Sequence, residues 1–291
     1  MFEPNNLYEK ILFTSLGSTP NITNIRLIAA GNINQAVYIQ TNKHPFLLKL
    51  NFDPNEAVFQ KEAEGLDLLR NNCSLKIPEV IAYGQVDGQN FLLMEYIDSG
   101  SYLPAYWYRL AEGLAELHMS TKGFYGLEED NFIASLPQKN EPSDNWTSFF
   151  IYNRLEPLIG RAYYENLISK DFLVRFQRIY TRLEGYFPRE KPALLHGDLW
   201  SGNILRTHEG TPALIDPAVY YGQREVDIAF SRLFGGFDEK FYEAYDAVYP
   251  LEPGFEERVN VYNLYPLLVH LNLFGKAYLP GIEKAIAPLI D

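Results

Sequence analysis

Residues 194–205 read LLHGDLWSGNIL, and they are the most informative segment of the chain. It places Asp198 five residues before Asn203, and a second acid, Asp216, follows in the apolar segment ALIDP. An aspartate can accept the proton of an attacking hydroxyl, while an amide oxygen and a second carboxylate are hard ligands for Mg²⁺. The pattern therefore predicts phosphoryl transfer, with Asp198 as the base and with Asn203 and Asp216 as metal ligands.

The same stretch has the residue order of a kinase catalytic loop. The pattern His-x-Asp-x-x-x-x-Asn begins at His196, and Gly197 stands where protein kinases have arginine. Each residue alone also fits a structural role, as a turn, a cap or a strand end. Support for a catalytic role therefore depends on the other motifs of the chain. We expect His196 to be structural rather than a general base, and the same holds for His118 among the leucines of a predicted helix.

The composition limits the class of protein and the partners it can have. The chain has 291 residues, of which 47% are hydrophobic and 21% charged, and this indicates a folded globular protein long enough for two lobes. A net charge of −12 disfavours nucleic acid and anionic membrane surfaces as partners. The longest apolar region, at 264–275, is too short to span a bilayer. A single cysteine, Cys73, and the lack of a secretory signal predict a cytoplasmic protein.

The first third of the chain reads as β-strands around one helix. Alternating and β-rich runs predict strands over 24–30, 35–40, 44–52, 80–83 and 90–96. Asp53, Pro54 and Glu56 form a capping pattern for the helix that follows. On that helix Glu62 interrupts an apolar stripe, and a carboxylate there is costly without a cationic partner. The expected partner is Lys49, because it points away from the apolar face of the preceding strand.

The nucleotide would bind in this part of the chain. Gly31 and Asn32 join two predicted strands upstream of Lys49, where a kinase places its phosphate-covering loop. Lys49, held by Glu62, would neutralise the α- and β-phosphates of ATP. The last strand ends where a kinase hinge offers backbone groups to adenine, at Met94, Glu95, Tyr96 and Ile97. An ordinary hairpin and a strand that runs into a turn are the alternatives for these two segments.

The periodicity becomes helical after a turn-rich run at 97–101, and we place a domain boundary there, between 1–97 and 98–291. Helices are predicted over 104–119, 146–167, 171–187, 237–249 and 255–278, with a loop over 121–144 and only two short strands, one on each side of the catalytic loop. A small N-terminal antiparallel β-sheet lobe with one key helix, followed by a larger and mainly helical C-terminal lobe, is the layout of the α+β protein-kinase-like fold.

Beyond this layout, the chain resembles the fructosamine kinase (ketosamine-3-kinase) family, which is itself similar to aminoglycoside phosphotransferases. The matching stretches are LLHGDLWSGNIL, IDPAVYYGQREVDIAFSRLFGGF at 215–237, AAGNINQAVYI, FQKEAEGL and GLEEDNFIASLPQ. The resemblance implies transfer of the γ-phosphate of ATP, with Mg²⁺, to the 3-hydroxyl of a ketosamine. A ketosamine is the rearranged adduct of a sugar with an amine, and the implied role is the repair of glycated lysines.

The resemblance also implies roles for individual residues. The roles argued above from chemistry carry over to Lys49, Glu62, Asp198, Asn203 and Asp216. Trp200 would stack on the sugar or on its amine substituent. Three more residues would either shape the acceptor pocket or brace the catalytic loop, namely Arg224, Glu225 and Asp227.

Two other functions are compatible with the pattern. One is a kinase for another small hydroxyl compound, such as an aminoglycoside or an amino sugar. The other is a nucleotide-binding module without catalysis. By resemblance, the Trp200-Ser201 pair and the stretch 215–237 favour ketosamines over aminoglycosides. The retention of the lysine, the base and both metal ligands disfavours an inactive module.

Overall fold

A five-stranded antiparallel sheet and two helices form the first part of the chain in the computed structural model, which describes residues 6–30, 34–51 and 57–290. In chain order the elements are α1 (Leu7–Leu16), β1 (Ile22–Ala30), β2 (Asn34–Thr41), β3 (Pro45–Asn51), α2 (Ala57–Arg70), β4 (Val80–Val86) and β5 (Gln89–Glu95). The strands lie in the order β1-β2-β3-β5-β4. All five predicted strands are confirmed.

Helix α1 is not among the predicted elements, although its sequence carries signals at both ends. The Asn6 side chain caps its start by accepting the backbone N–H of Glu9, and Gly17 ends it with a φ of +69°. Only Ile11 and Leu12 of this helix are buried. Two buried positions in ten residues give a weak periodic signal, and tertiary packing on the sheet supplies the rest of the stability.

Alternate residues of β3 face opposite sides of the sheet. Phe46, Leu48 and Leu50 are buried in the same core cluster as α1. Lys49 points to the other side and contacts Glu62 on α2. The predicted face assignment and the predicted Lys49–Glu62 pair are therefore both confirmed.

Helices dominate the remainder of the chain. They are α3 (Tyr106–Met119), α4 (Trp146–Phe149), a π-helical segment (Phe150–Leu155), α5 (Glu156–Tyr164), α6 (Lys170–Gln177), α7 (Tyr180–Leu183), α8 (Glu225–Leu233), α9 (Glu239–Val248), α10 (Phe255–Tyr262), α11 (Leu264–Phe274) and α12 (Leu279–Ile290), with 3₁₀ turns at Ser201–Asn203 and Lys276–Tyr278. The short strands are β6 (Asn131–Ile133), β7 (Leu136–Gln138), β8 (Ala193–Leu195), β9 (Ile204–Arg206), β10 (Pro212–Leu214) and β11 (Tyr220–Gly222). They pair as β6–β7, β8–β11 and β9–β10.

Several predictions for this part of the chain are wrong in detail. Six short strands are present instead of two, and the β6–β7 hairpin lies inside the predicted loop 121–144. Strands of three residues are too short to show a period of two. The predicted helix 171–187 is two helices, and 255–278 divides near Asn263, while α8 and α12 lie outside every predicted helix. The predicted cap of α2, at 53–56, lies outside the described residues.

The chain divides into two compact units. A sheet unit comprises Met1–Asn71, Leu75–Tyr106 and Leu205–Asp216, and a helical unit comprises Asn72–Ser74, Trp107–Ile204 and Pro217–Asp291. Asp216 thus belongs to the sheet unit, whereas Asp198 and Asn203 belong to the helical unit. The boundary after Ile97 stays a prediction. Within the described residues, no helix combines the length and the apolar character that a membrane span requires.

Candidate active site

Lys49 is the centre of an ion triad in the sheet unit. Its Nζ lies 2.6 Å from Oε1 of Glu62 and 2.6 Å from Oδ1 of Asp216. The side chains of Lys49 and Glu62 are 10% and 13% exposed, whereas that of Asp216 is 42% exposed. Burial alone would lower the pKa of Lys49, but the charges of Asp216 and Glu62 outweigh burial and raise this pKa above its ordinary value. The ammonium group therefore stays charged.

Asp216 reaches Lys49 from the segment that follows β10. Its backbone has a φ of +54°, in the left-handed region that few residues other than glycine adopt but that aspartate tolerates. Because its side chain is partly exposed, the carboxylate can contact a ligand as well as Lys49. The combination of a charged lysine and an accessible acid suits an anionic ligand that carries a metal ion.

The other predicted nucleotide contacts are in part outside the described residues. Gly31 and Asn32 lie there, and their role stays a prediction. The predicted hinge comes at the end of β5, where Met94 is buried and the next residues, Glu95, Tyr96 and Ile97, are half-buried. The ring of Tyr96 packs edge-on against Tyr38, with centroids 4.6 Å apart.

The loop between β8 and β9 brings Asp198 and Asn203 together in the helical unit. The 3₁₀ turn at Ser201–Asn203 turns their five-residue separation into a contact. Nδ2 of Asn203 donates to Oδ2 of Asp198 and to its backbone carbonyl, at 2.8 Å each. Because both bonds use the nitrogen, Oδ1 of Asn203 is the atom of this amide that could bind a hard cation.

Gly197 allows a close approach between the catalytic loop and the chain after β10. Its φ is +81°, and an added Cβ would lie 2.0 Å from the carbonyl oxygen of Ala218. Next to it, the N–H of Ala218 donates to the carbonyl of His196 at 2.9 Å. His196 is fully buried, and its Nδ1 accepts the N–H of Asp198 at 3.3 Å. These contacts fit the structural role expected for His196.

A buried carboxylate on α8 braces this loop. Asp227 accepts the backbone N–H groups of His196 at 2.7 Å and of Gly197 at 3.0 Å. Nε2 of His118 lies 3.2 Å from Asp227, and Nδ1 of His118 lies 2.7 Å from the hydroxyl of Tyr245. A carboxylate only accepts, so His118 donates from Nε2 and accepts from Tyr245 at Nδ1. Burial lowers the pKa of His118 despite Asp227, which keeps the ring neutral.

The neighbours of Asp227 are also buried and bonded to protein groups. Arg224 is 2% exposed and donates to the Glu190 carboxylate at 2.8 Å. Glu225 is fully buried and accepts two bonds from Arg258, at 2.7 Å each. Of the two roles expected for Arg224, Glu225 and Asp227, these contacts favour bracing over substrate binding.

Trp200 lies two residues after Asp198 and is half-buried. Its indole covers Gly202, where an added Cβ would come within 2.3 Å of the ring. The indole and the ring of Phe234 pack edge to face, with ring centroids 6.2 Å apart. The ring is thus held by both neighbours, although its proposed contact with the acceptor stays a prediction.

These features define a class of protein. A strand of the antiparallel sheet carries a charged lysine, and a carboxylate on helix α2 holds it. A loop of the helical unit carries an acid–amide pair. This arrangement is that of a phosphotransferase with a protein-kinase-like fold. The crystal structure of the aminoglycoside phosphotransferase APH(4)-Ia shares this fold, with a TM-score of 0.63 over 97% of this chain and 95% of that one. Its identity of 16% makes this a likeness of fold alone.

The family model for fructosamine kinase matches residues 5–291, and the chain belongs to that family. A "Probable ketoamine kinase" of Lactiplantibacillus plantarum is 37% identical over 91% of this chain and 94% of its own length. The "Protein-ribulosamine 3-kinase, chloroplastic" of Arabidopsis thaliana is 36% identical over 90% of this chain and 81% of its own length. A Haemophilus somnus 129PT crystal structure named for fructosamine-3-kinase gives a TM-score of 0.87 at 30% identity, over 98% of this chain and 97% of that one.

These matches confirm the predicted family, fold class and enzyme class. The chain is a phosphotransferase that acts on a hydroxyl group, and as a member of a kinase family it uses ATP.

Proposed function

We propose that the chain transfers the γ-phosphoryl group of ATP to the 3-hydroxyl of a ketosamine, such as a ribulosamine or fructosamine adduct of an amine or a protein lysine. The observation that carries this proposal is the Lys49–Glu62–Asp216 triad, which fixes a charged lysine of the kind that kinases use to bind phosphate. The acceptor class follows from relatives named ketoamine kinase and protein-ribulosamine 3-kinase. The single cysteine, Cys73, suits a reducing cytoplasm as the site of the reaction.

The nucleotide is bound by the sheet unit. Lys49 contacts the α- and β-phosphates while Glu62 fixes its position. From the sequence, we assign to Gly31 and Asn32 the role of a phosphate-covering loop. The backbone at the end of β5 contacts adenine, at Met94, Glu95, Tyr96 and Ile97.

The residues present fit a magnesium ion. Asn203 offers an amide oxygen and Asp216 a partly exposed carboxylate, and both are hard donors of the type that Mg²⁺ prefers. When bound, Mg²⁺ neutralises negative charge on the phosphates during transfer. Asn203 and Asp216 would hold it.

Asp198 is the base. It accepts the proton of the 3-hydroxyl as the oxygen bonds to the γ-phosphorus, while the bond between that phosphorus and the β–γ bridging oxygen breaks and ADP leaves. A carboxylate is a weak base, but a loose transition state needs alignment and charge neutralisation more than early deprotonation. Asn203 fixes the Asp198 side chain, Asp227 fixes the backbone around it, and Trp200 stacks on the sugar or its amine substituent. The product then decomposes in water: loss of a proton from carbon 1 expels inorganic phosphate from carbon 3, and hydrolysis of the resulting imine releases the amine and a dicarbonyl sugar.

An acceptor screen tests this function. ATP consumption is measured with ribulose-, erythrulose- and fructose-derived lysine adducts and with aminoglycosides, and phosphorus NMR locates the phosphate. We expect turnover with one or more ketosamines, phosphate on oxygen 3, and a loss of about 10²–10⁴-fold in the matched Asp198→Asn enzyme. Turnover of an aminoglycoside without turnover of any ketosamine would contradict the proposal.

A further inference from the structure

A buried network of polar side chains lies next to the catalytic loop in the helical unit. Its members are each at most 4% exposed, and they are Asn131, Gln138, Asn140, Arg154 and Tyr265. They come from the β6–β7 hairpin, the residues after it, the π-helical segment and α11. None of them has a role in the mechanism described above.

The hairpin amides hold the chain that follows Asp216. Nδ2 of Asn131 donates to the carbonyl of Val219 at 2.8 Å. Nε2 of Gln138 donates to the carbonyl of Ala218 at 3.1 Å and to Oδ1 of Asn131 at 2.8 Å. Since the N–H of Ala218 donates to His196, the hairpin and the catalytic loop hold the same residue from its two sides.

Other buried side chains hold the amides of Asn131 and Gln138 in place. Asn140 donates to Oδ1 of Asn131 at 2.8 Å, and Nη2 of Arg154 donates to Oδ1 of Asn140 at 2.8 Å. The Tyr265 hydroxyl donates to Oε1 of Gln138. Each amide of the hairpin thus donates and accepts at once, which an apolar side chain of the same size cannot do.

Arg154 and the β6–β7 turn both have features that cost stability. Arg154 is fully buried, and in the part of the chain that the structure describes no carboxylate forms an ion pair with it; its guanidinium instead lies 3.9 Å over the ring of Tyr220. A buried cation without a counter-ion is costly, and single π-turns occur often at functional sites. The hairpin turn places Ala134 at a φ of +52°, which is strained for a residue with a Cβ.

We propose that Asn131 and Gln138 are positioning residues for phosphoryl transfer. They fix the carbonyls of Ala218 and Val219, and through Ala218 they fix the His196 end of the catalytic loop that carries Asp198. The proposal rests on the proposed role of Asp198. Displacing a reacting group by about 1 Å can lower the rate about 100-fold, so loss of the network should lower kcat. Since Glu62 holds Lys49 independently of the network, KM for ATP should change much less.

The test compares Asn131→Leu with a matched control, Asn263→Leu. Both asparagines are 4% exposed, and Asn263 also donates Nδ2 to a carbonyl, that of Ala229, at 3.0 Å. We expect both variants to be less stable. Only Asn131→Leu should lose kcat, about tenfold or more per folded molecule, with KM for ATP within about twofold of wild type. Equal kcat values in the two variants would overturn the proposal.

Gln138→Glu keeps the test decisive if Asn131→Leu does not fold. Glutamate retains an oxygen for Tyr265 and removes the donor to Ala218, so kcat should again fall at unchanged KM for ATP. A folded Gln138→Glu enzyme with wild-type kcat would refute the positioning role. ATP hydrolysis without acceptor is measured in parallel. If the wild-type enzyme hydrolyses ATP but phosphorylates no ketosamine, the proposed function is contradicted. The positioning role is still tested in that case, because the rates of ATP hydrolysis of the variants can be compared.

Discussion

Nζ of Lys49 lies 2.6 Å from Oδ1 of Asp216, and the same nitrogen contacts Glu62. One cation thus joins a helix carboxylate to the acid proposed as a metal ligand. Two carboxylates around one ammonium leave an excess of one negative charge, which repels phosphate. A divalent cation at Asp216 would reverse that sign, so we expect ATP and Mg²⁺ to bind together.

Lys49→Met should lower kcat/KM for ATP by about 100-fold or more, because a group that stabilises transferring phosphoryl charge is removed and Glu62 is left buried without a cation. Steady-state kinetics at saturating acceptor measure this. The control is Lys10→Met, since Lys10 forms a 2.7 Å ion pair with Asp87 at the surface, where both side chains are well exposed. That variant should keep wild-type kinetics. A Lys49→Met enzyme with unchanged kcat/KM would remove Lys49 from the phosphate site.

Asp216→Ala should weaken nucleotide binding in Mg²⁺ and leave binding in EDTA unchanged or stronger, because without the metal this carboxylate only adds negative charge. The reason is that the carboxylate acts on the nucleotide through the metal, while Glu62 still holds Lys49. Calorimetric titration of ATP with and without Mg²⁺ separates the two effects. Asp87→Ala, at the surface, is the control. If Asp216→Ala keeps the full difference between Mg²⁺ and EDTA, the metal is bound by other residues.

Asp227→Asn should lower the free energy of unfolding by about 2–3 kcal/mol, because the new amide nitrogen cannot accept a bond that the carboxylate oxygen accepted. Urea unfolding measures the change. Asp238→Asn is the matched control. Asp238 caps α9 by accepting the N–H of Lys240, and asparagine caps a helix about as well as aspartate. Similar unfolding curves for both variants would show that Asp227 does not brace the loop.

The low pKa of His118 predicts how stability depends on pH. Because the folded state lowers this pKa, the contribution of His118 is complete above the unfolded value of about 6.5 and is lost as the pH falls below it. His118→Gln replaces the ring by a donor and an acceptor that do not titrate. Between pH 7.5 and 5.5, wild type should lose more unfolding free energy than the variant, by up to about 1.4 kcal/mol per pH unit. Parallel losses would contradict the assignment.

The sequence was sufficient to predict site residues where a local pattern and the chemistry of the side chains agree. The alternation of β3 placed Lys49 opposite the apolar face, and an acid on an apolar helical stripe identified Glu62 as its partner. The spacing of Asp198 and Asn203 indicated that both belong to one catalytic loop, and in the structure one 3₁₀ turn brings them into contact. In each case the decisive residues are close in sequence or lie on adjacent elements.

The remaining features depend on contacts between distant segments. The brace on the catalytic loop joins His118 to Asp227, 109 residues apart, and no local period reports such a bond. The β6–β7 hairpin has strands of three residues, and its amides look like loop residues until their buried partners are known. The π-helical segment Phe150–Leu155 interrupts a stretch whose sequence fits an ordinary α-helix, and no local pattern reports it.

Gly197 also bears on how the enzyme is controlled. Protein kinases have arginine at this place, and phosphorylation orders their activation loops through new arginine–phosphate pairs. Here even a Cβ would lie 2.0 Å from the Ala218 carbonyl oxygen. The chain therefore has no room at position 197 for a side chain that senses a phosphorylated loop. An arginine at this position, as in protein kinases, would require the Ala218 segment to move away first.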